Sequence, residues 1–135
     1  MDKKPLILVV DDNSECRKLL EQILELHGFR TILATCGLEA VELAIEFTPR
    51  LVLMDISMPG MDGVEATKAI HAHPRGRKIP VVAVSSYCDN YGYVSRAFKA
   101  EFIACFGKPW EEEALLHTVT NVLARGRRAE VARAA

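Results

Sequence analysis

No apolar run in this 135-residue chain is long enough to cross a membrane. The amino terminus, MDKKPLILVV, lacks both the apolar core and the small-residue cleavage pattern of a secretory leader. The chain therefore reads as a soluble, cytoplasmic protein. Its four cysteines, Cys16, Cys36, Cys88 and Cys105, are scattered. They form no C-x-x-C pair and have no histidine at finger spacing, which argues against a zinc site or a disulfide framework and for reduced thiols. A formal net charge of −1 argues against a surface that binds nucleic acid or membrane by charge alone. No internal repeat or low-complexity linker divides the chain, and with 50% hydrophobic residues it is not a disordered segment. A chain of this length can bury one core without staples.

The small net charge conceals an asymmetry. Residues 125–135 hold four of the 17 basic residues and one of the 18 acidic ones, leaving 13 basic and 17 acidic residues in the body. The expected organisation is one domain over 1–125, followed by a basic tail over 126–135 that is flexible or extends the last helix. Four arginines without aromatic partners make a weak nucleic-acid patch.

What the chain does contain is five short strand-like segments, most of them apolar runs without polar alternation, the pattern of strands buried on both faces. They lie at Leu6–Val10, Arg30–Ala34, 51–54, 81–84 and 102–106. Helical patterns separate them. After the first strand, Asn13 or Ser14 can cap a helix that turns Cys16, Leu19, Leu20, Ile23 and Leu24 inward and stops at Gly28. Gly37–Phe47 reads as a second helix with Leu38, Val41, Ala44 and Ile45 inward. Residues 64–73 form a third, with Val64, Thr67, Ala69 and Ile70 inward. Residues 87–100, with three tyrosines and a glycine, form the least regular helix, and 111–123 the last, burying Leu115, Leu116, Val119 and Val122 or Leu123. Strands alternating with helices predict an α/β fold, a doubly wound parallel sheet of five strands with five helices.

Four of the strands deliver polar groups to one edge of that sheet. Asp11 and Asp12 follow the first, Asp55 ends the third, Ser85 the fourth, and Lys108 follows the fifth. In an open α/β sheet, ligands collect at the carboxyl ends of the strands. Three carboxylates gathered there repel one another and need a counter-charge. A hard divalent cation such as Mg²⁺, which takes one or two carboxylates and substrate phosphate, supplies it. Lys108 and Ser85 suit phosphoryl oxygens. Asp55 is then placed to act as a nucleophile that forms an aspartyl phosphate. Taken singly, Asp11 and Asp12 read as a cap and a turn, and Asp55 as a loop residue. Their coincidence with Ser85 and Lys108 at matching strand ends favours chemistry. Asp62 reads as a helix cap, Gly60 or Gly63 as the positive-φ residue of the turn, and the four histidines as surface or half-buried residues.

These residues carry a resemblance. VVDD at 9–12, LVLMDISMPGMDG at 51–63, PVVAVSS at 80–86 and KP at 108–109, in this order, make the chain similar to the receiver domain of two-component response regulators, a CheY-like fold, over roughly residues 5–125. The resemblance implies the strand order 2-1-3-4-5. It implies that Asp55 accepts a phosphoryl group from a sensor histidine kinase or a histidine phosphotransfer protein. Asp11, Asp12, Asp55 and the carbonyl of Ser57 would hold Mg²⁺, Ser85 would hydrogen-bond the phosphoryl group, Lys108 would pair with it, and Lys108-Pro109 would be cis. The protein would be a signalling phosphoacceptor that catalyses its own phosphorylation and dephosphorylation, acting by phosphorylation-dependent docking on a separate protein through residues 87–106 and the last helix. The alternative is a degenerate receiver used as an unphosphorylated scaffold. A phosphatase is disfavoured because no second acid lies two residues beyond Asp55 and no cap insertion is present. A flavin site is disfavoured because Asp11 and Asp12 stand where a phosphate cradle would be. Two departures bear on readout. Cys105 occupies the position three before the lysine where receivers commonly carry Tyr or Phe. Tyr87 stands two beyond Ser85, where a bulky side chain shields the acyl phosphate and predicts a long-lived phosphoryl state.

Overall fold

The structure is a computed structural model that describes residues 4–86 and 101–134, with side chains described up to Arg125. Strands β1 (Leu6–Val10), β2 (Arg30–Ala34), β3 (Leu51–Asp55), β4 (Val81–Ser85) and β5 (Ala104–Gly107) form one sheet. Its order is β2-β1-β3-β4-β5 and every pairing is parallel. Around it lie α1 (Ser14–Leu26), α2 (Gly37–Phe47), α3 (Gly63–Ala72) and α4 (Glu112–Ala134). The helix expected over 87–100 lies outside the described residues.

Side chains alternate across a strand, so each strand feeds two cores. On one face Leu8, Val10, Val52, Met54, Val81 and Ala83 pack with Ala40 and Ala44 of α2 and Ala66 and Ile70 of α3. On the other, Ile7, Val9, Leu51, Leu53, Val82 and Val84 pack with Leu20 and Leu24 of α1 and Leu115, Val119 and Val122 of α4. Burial on both sides explains why the three central strands show no polar alternation.

Several helix positions depart from the expected inward faces. Leu19 and Leu38 are exposed, and Ile45, Ala69 and Cys16 are half-buried, whereas Val41 and Val64, also half-buried, pack against the core as expected. On α2 the buried positions are Gly37, Ala40 and Ala44. The cause is close approach: a Cβ on Gly37 would lie 2.6 Å from the Met61 carbonyl oxygen, so the small side chains face the packed side and Leu38 turns away. α4 continues past 123, its helical backbone reaching Ala134.

Caps set the helix starts. Asn13 caps α1, its side chain accepting from the amides of Glu15 and Cys16. Asp62 caps α3 in a reciprocal pair with Glu65, in keeping with its position before VEATKAI. In the turn before it Gly60 takes the positive φ, 76°. Gly63 serves close approach instead. A Cβ there would stand 2.2 Å from the Asp55 carbonyl oxygen, so α3 starts directly against the end of β3.

Cys16 and Cys36 are free, but Cys105 is disulfide-bonded. That corrects the expectation of four reduced thiols; spacing along the chain cannot reveal a pairing that the fold creates. Cys88 and Tyr87 lie outside the described residues. No helix among the described residues is long and apolar enough to cross a membrane.

Candidate functional site

The register of the sheet sets the site. Val10 pairs with Met54, so Asp11 and Asp55 each follow one residue later on neighbouring strands. Asp55 pairs with Val84, and Ser85 with Gly107, which puts Lys108 one step beyond. The acids, the serine and the lysine thus form a staircase across β1, β3, β4 and β5.

Asp11 is the most constrained of them and is 1% exposed. Its amide donates to the Ala34 carbonyl at 3.1 Å. Its Oδ1 accepts from the Asn13 amide at 2.9 Å, and its Oδ2 accepts from Lys108 Nζ at 2.8 Å. Its carbonyl oxygen accepts from a guanidinium nitrogen of Arg17 at 2.7 Å. Asp55 is 4% exposed and lies 3.4 Å from Lys108 Nζ through Oδ1. Asp12 is exposed. Oxygen atoms of Asp11, Asp12 and Asp55 lie within 4.8 Å of one another.

This crowding has an electrostatic signature. Burial, with the Asp11 charge and a hydrogen bond shared with Asp12, pushes the Asp55 carboxyl from its usual 3.8 up to about 7, against the opposing pull of Lys108. For Lys108 burial acts downward, but its hydrogen bond to Asp11 and the charges of Asp55 and Asp11 prevail, and its pKa is raised. One lysine does not neutralise three carboxylates. The all-oxygen donor set, its spacing and this unrelieved repulsion fit a hard divalent cation such as Mg²⁺.

Ser85 is fully buried at the end of β4, and its carbonyl accepts from the Lys108 amide at 3.2 Å. The Lys108-Pro109 bond is cis. Ser57 is exposed in the loop after β3. Cys105 pairs with Ala83 across the sheet and packs against the core shared by α2 and α3. Phe106 and Trp110 pack on the opposite core.

Two neighbours of the site were not assigned to it from the sequence. The pKa of the Cys16 thiol is raised by burial and by the Asp11 charge. Arg17 ties down the Asp11 carbonyl. Their signal was position: both fall in the first turn and a half of the helix that follows the tandem acids.

The sheet order, with acids and a lysine at the carboxyl edge, defines a class. The response regulator receiver domain matches residues 7–120, and the chain belongs to that family. Among its relatives is the polar-differentiation response regulator DivK of Brucella ovis, 34% identical over 117 residues, which are 87% of this chain and 94% of DivK. Among solved structures it is similar to a putative response regulator from Chloroflexus aurantiacus, with a TM-score of 0.83 and 28% identity over 90% of this chain and 99% of that one. It is also similar to the receiver domain of a sensor histidine kinase from Pseudomonas aeruginosa, with a TM-score of 0.81 and 26% identity over 90% and 99% of the two chains. That receiver was solved with a magnesium ion coordinated in its active site cleft.

Proposed function

We propose that Asp55 is the phosphoacceptor of a Mg²⁺-dependent receiver that signals by binding a partner when phosphorylated. The observation that carries this reading is the placement of Lys108 Nζ 2.8 Å from Asp11 and 3.4 Å from Asp55, across an acid cluster that it cannot neutralise alone. Asp11, Asp12, Asp55 and the Ser57 carbonyl would hold Mg²⁺. When bound, the ion offsets carboxylate repulsion and draws charge from the phosphoryl oxygens.

The chain's own residues do the rest. A deprotonated oxygen of Asp55 attacks phosphorus of a phosphohistidine on a sensor histidine kinase or a histidine phosphotransfer protein. The P–N bond breaks and its electron pair returns to the imidazole. Lys108 pairs with the incoming phosphoryl group, and Ser85 donates to one of its oxygens. Removing Asp55's negative charge from beneath Lys108 and replacing it with a larger dianion at the ends of β3, β4 and β5 is the change a partner would read. Hydrolysis of the acyl phosphate by water returns the carboxylate, so the protein catalyses both halves of its own cycle.

Residues 1–125 form the receiver, and 126–135 a basic tail whose backbone continues α4 as far as Ala134. The downstream partner docks through 87–106 and α4. The test is incubation with acetyl phosphate with and without Mg²⁺, followed by intact mass spectrometry. One added phosphoryl group that needs Mg²⁺ and is absent in Asp55→Asn supports the reading. No adduct points to a scaffold, and rapid hydrolysis of phosphate monoesters, which a receiver does not use as donors, to a phosphatase.

A further inference from the structure

We propose that Arg17 is a positioning residue for the tandem acids, one that sets how tightly the site takes up a divalent cation. The inference rests on the Mg²⁺-dependent reading above. Arg17 occupies the first turn and a half of α1, with its amide donating to the Asn13 carbonyl at 3.0 Å. From there its side chain reaches back six residues, and its guanidinium donates to the Asp11 carbonyl oxygen at 2.7 Å.

That oxygen belongs to the peptide joining Asp11 to Asp12. A peptide is a rigid plane, so fixing its oxygen fixes the direction in which Asp12 leaves the strand. Asp11 has three other ties, through its amide and both carboxylate oxygens. They hold the Asp11 side chain and the end of β1, but none acts on the plane that carries Asp12. Asp12 is exposed, and of the three acids it has the least packing to orient it. Arg17 supplies that orientation. Partners that aim a ligand are commonly as influential as the ligand itself.

The sign of the effect separates positioning from charge. A cation near an acid cluster opposes the binding of another cation, so if Arg17 acted only through its charge, removing it would tighten Mg²⁺ binding. Positioning requires the reverse.

The experiment is a Mg²⁺ titration of the full chain and of Arg17→Ala and Arg17→Lys, followed by calorimetry and by fluorescence of Trp110, the single tryptophan, two residues from Lys108. Arg17→Ala is expected to bind Mg²⁺ about tenfold more weakly than wild type. Arg17→Lys keeps the charge and a donor but loses the planar fork, and is expected to fall between the two. Phosphorylation by acetyl phosphate is expected to recover in both variants at saturating Mg²⁺. Binding unchanged or tightened in the variants, with wild type binding normally, overturns this assignment alone. A lowered melting temperature with unchanged Mg²⁺ affinity overturns it too, because it marks a purely structural role. If Arg17→Ala does not fold, Arg17→Lys decides: wild-type affinity there refutes the assignment. Absence of Mg²⁺ binding by wild type overturns the metal reading and this inference with it.

Discussion

Replacing Asp55 by Asn is expected to stabilise the metal-free protein, although it removes the residue on which the proposed chemistry depends. The Asp55 carboxyl titrates near 7 instead of its usual 3.8, chiefly because it is buried and next because it faces Asp11. An acid with a raised folded-state pKa binds its proton more tightly folded than unfolded. Its stabilising contribution is therefore fully present below the unfolded pKa and is lost as the pH rises through the folded one. The ceiling on that loss is about 4 kcal/mol. Screening and local rearrangement bring the realised gain of an amide to about 2 kcal/mol. The amide keeps the shape of the side chain, and Lys108 keeps its closer bond to Asp11 at 2.8 Å. For a domain of this size a gain of about 2 kcal/mol is a rise of about 8 °C in melting temperature. Melting curves at about pH 8 without Mg²⁺ should show that rise, and near pH 4, where the wild-type carboxyl is also neutral, it should vanish. Mg²⁺ should then raise the wild-type melting temperature more than that of the variant, because a ligand stabilises the state it binds. If Asp55→Asn is no more stable than wild type at the higher pH, or if its advantage does not shrink toward acid, the carboxylates are not crowded and the electrostatic reasoning fails.

Lys108→Met should cost about 3 kcal/mol in chemical denaturation, because it leaves the Asp11 carboxylate, 1% exposed, without its cation; a loss under about 1 kcal/mol would mean that Asp11 is relieved by solvent. Gly63→Ala should destabilise by about 2 kcal/mol and also lower Mg²⁺ affinity, since the new methyl would stand 2.2 Å from the Asp55 carbonyl oxygen and must push α3 off the end of β3. Thr67→Val should raise stability by about 1 kcal/mol, because the buried Thr67 hydroxyl finds no hydrogen-bond partner among the described residues; a destabilised variant would show that the hydroxyl is satisfied in solution.

The strands were legible because burial on both faces leaves a signal that needs no partner to interpret it. Ile7 to Val10, Leu51 to Met54 and Val81 to Val84 are apolar without interruption, and each run stops at the polar residue that enters the site. Asp11, Asp55, Ser85 and Lys108 could be read together because a parallel sheet brings corresponding strand ends to one edge. The helix faces were less legible. Hydrophobicity nominated Leu38, but α2 packs closely through Gly37, Ala40 and Ala44, with Gly37 against Met61 in the turn before α3, and close packing selects size before hydrophobicity. Composition left the length of α4 open between a helix extension and a flexible tail, since a segment rich in alanine and arginine suits both equally. The bonded state of Cys105 and the hold of Arg17 on Asp11 depend on distances that only the fold creates.

The ion pair between Lys108 and Asp11 joins residues 97 positions apart, from the first strand in sequence to just beyond the last. During synthesis the acids of β1 and β3 emerge long before the lysine that offsets them. A chain that has not yet delivered β5 holds repelling carboxylates without the lysine that pairs with them, and contacts this distant in sequence form late. On the function proposed above, the chemistry at Asp55 would therefore be conditional on a finished sheet. A nascent or partly unfolded chain, lacking that closure, would take no part in phosphoryl exchange, and competence at Asp55 would report that the fold is complete.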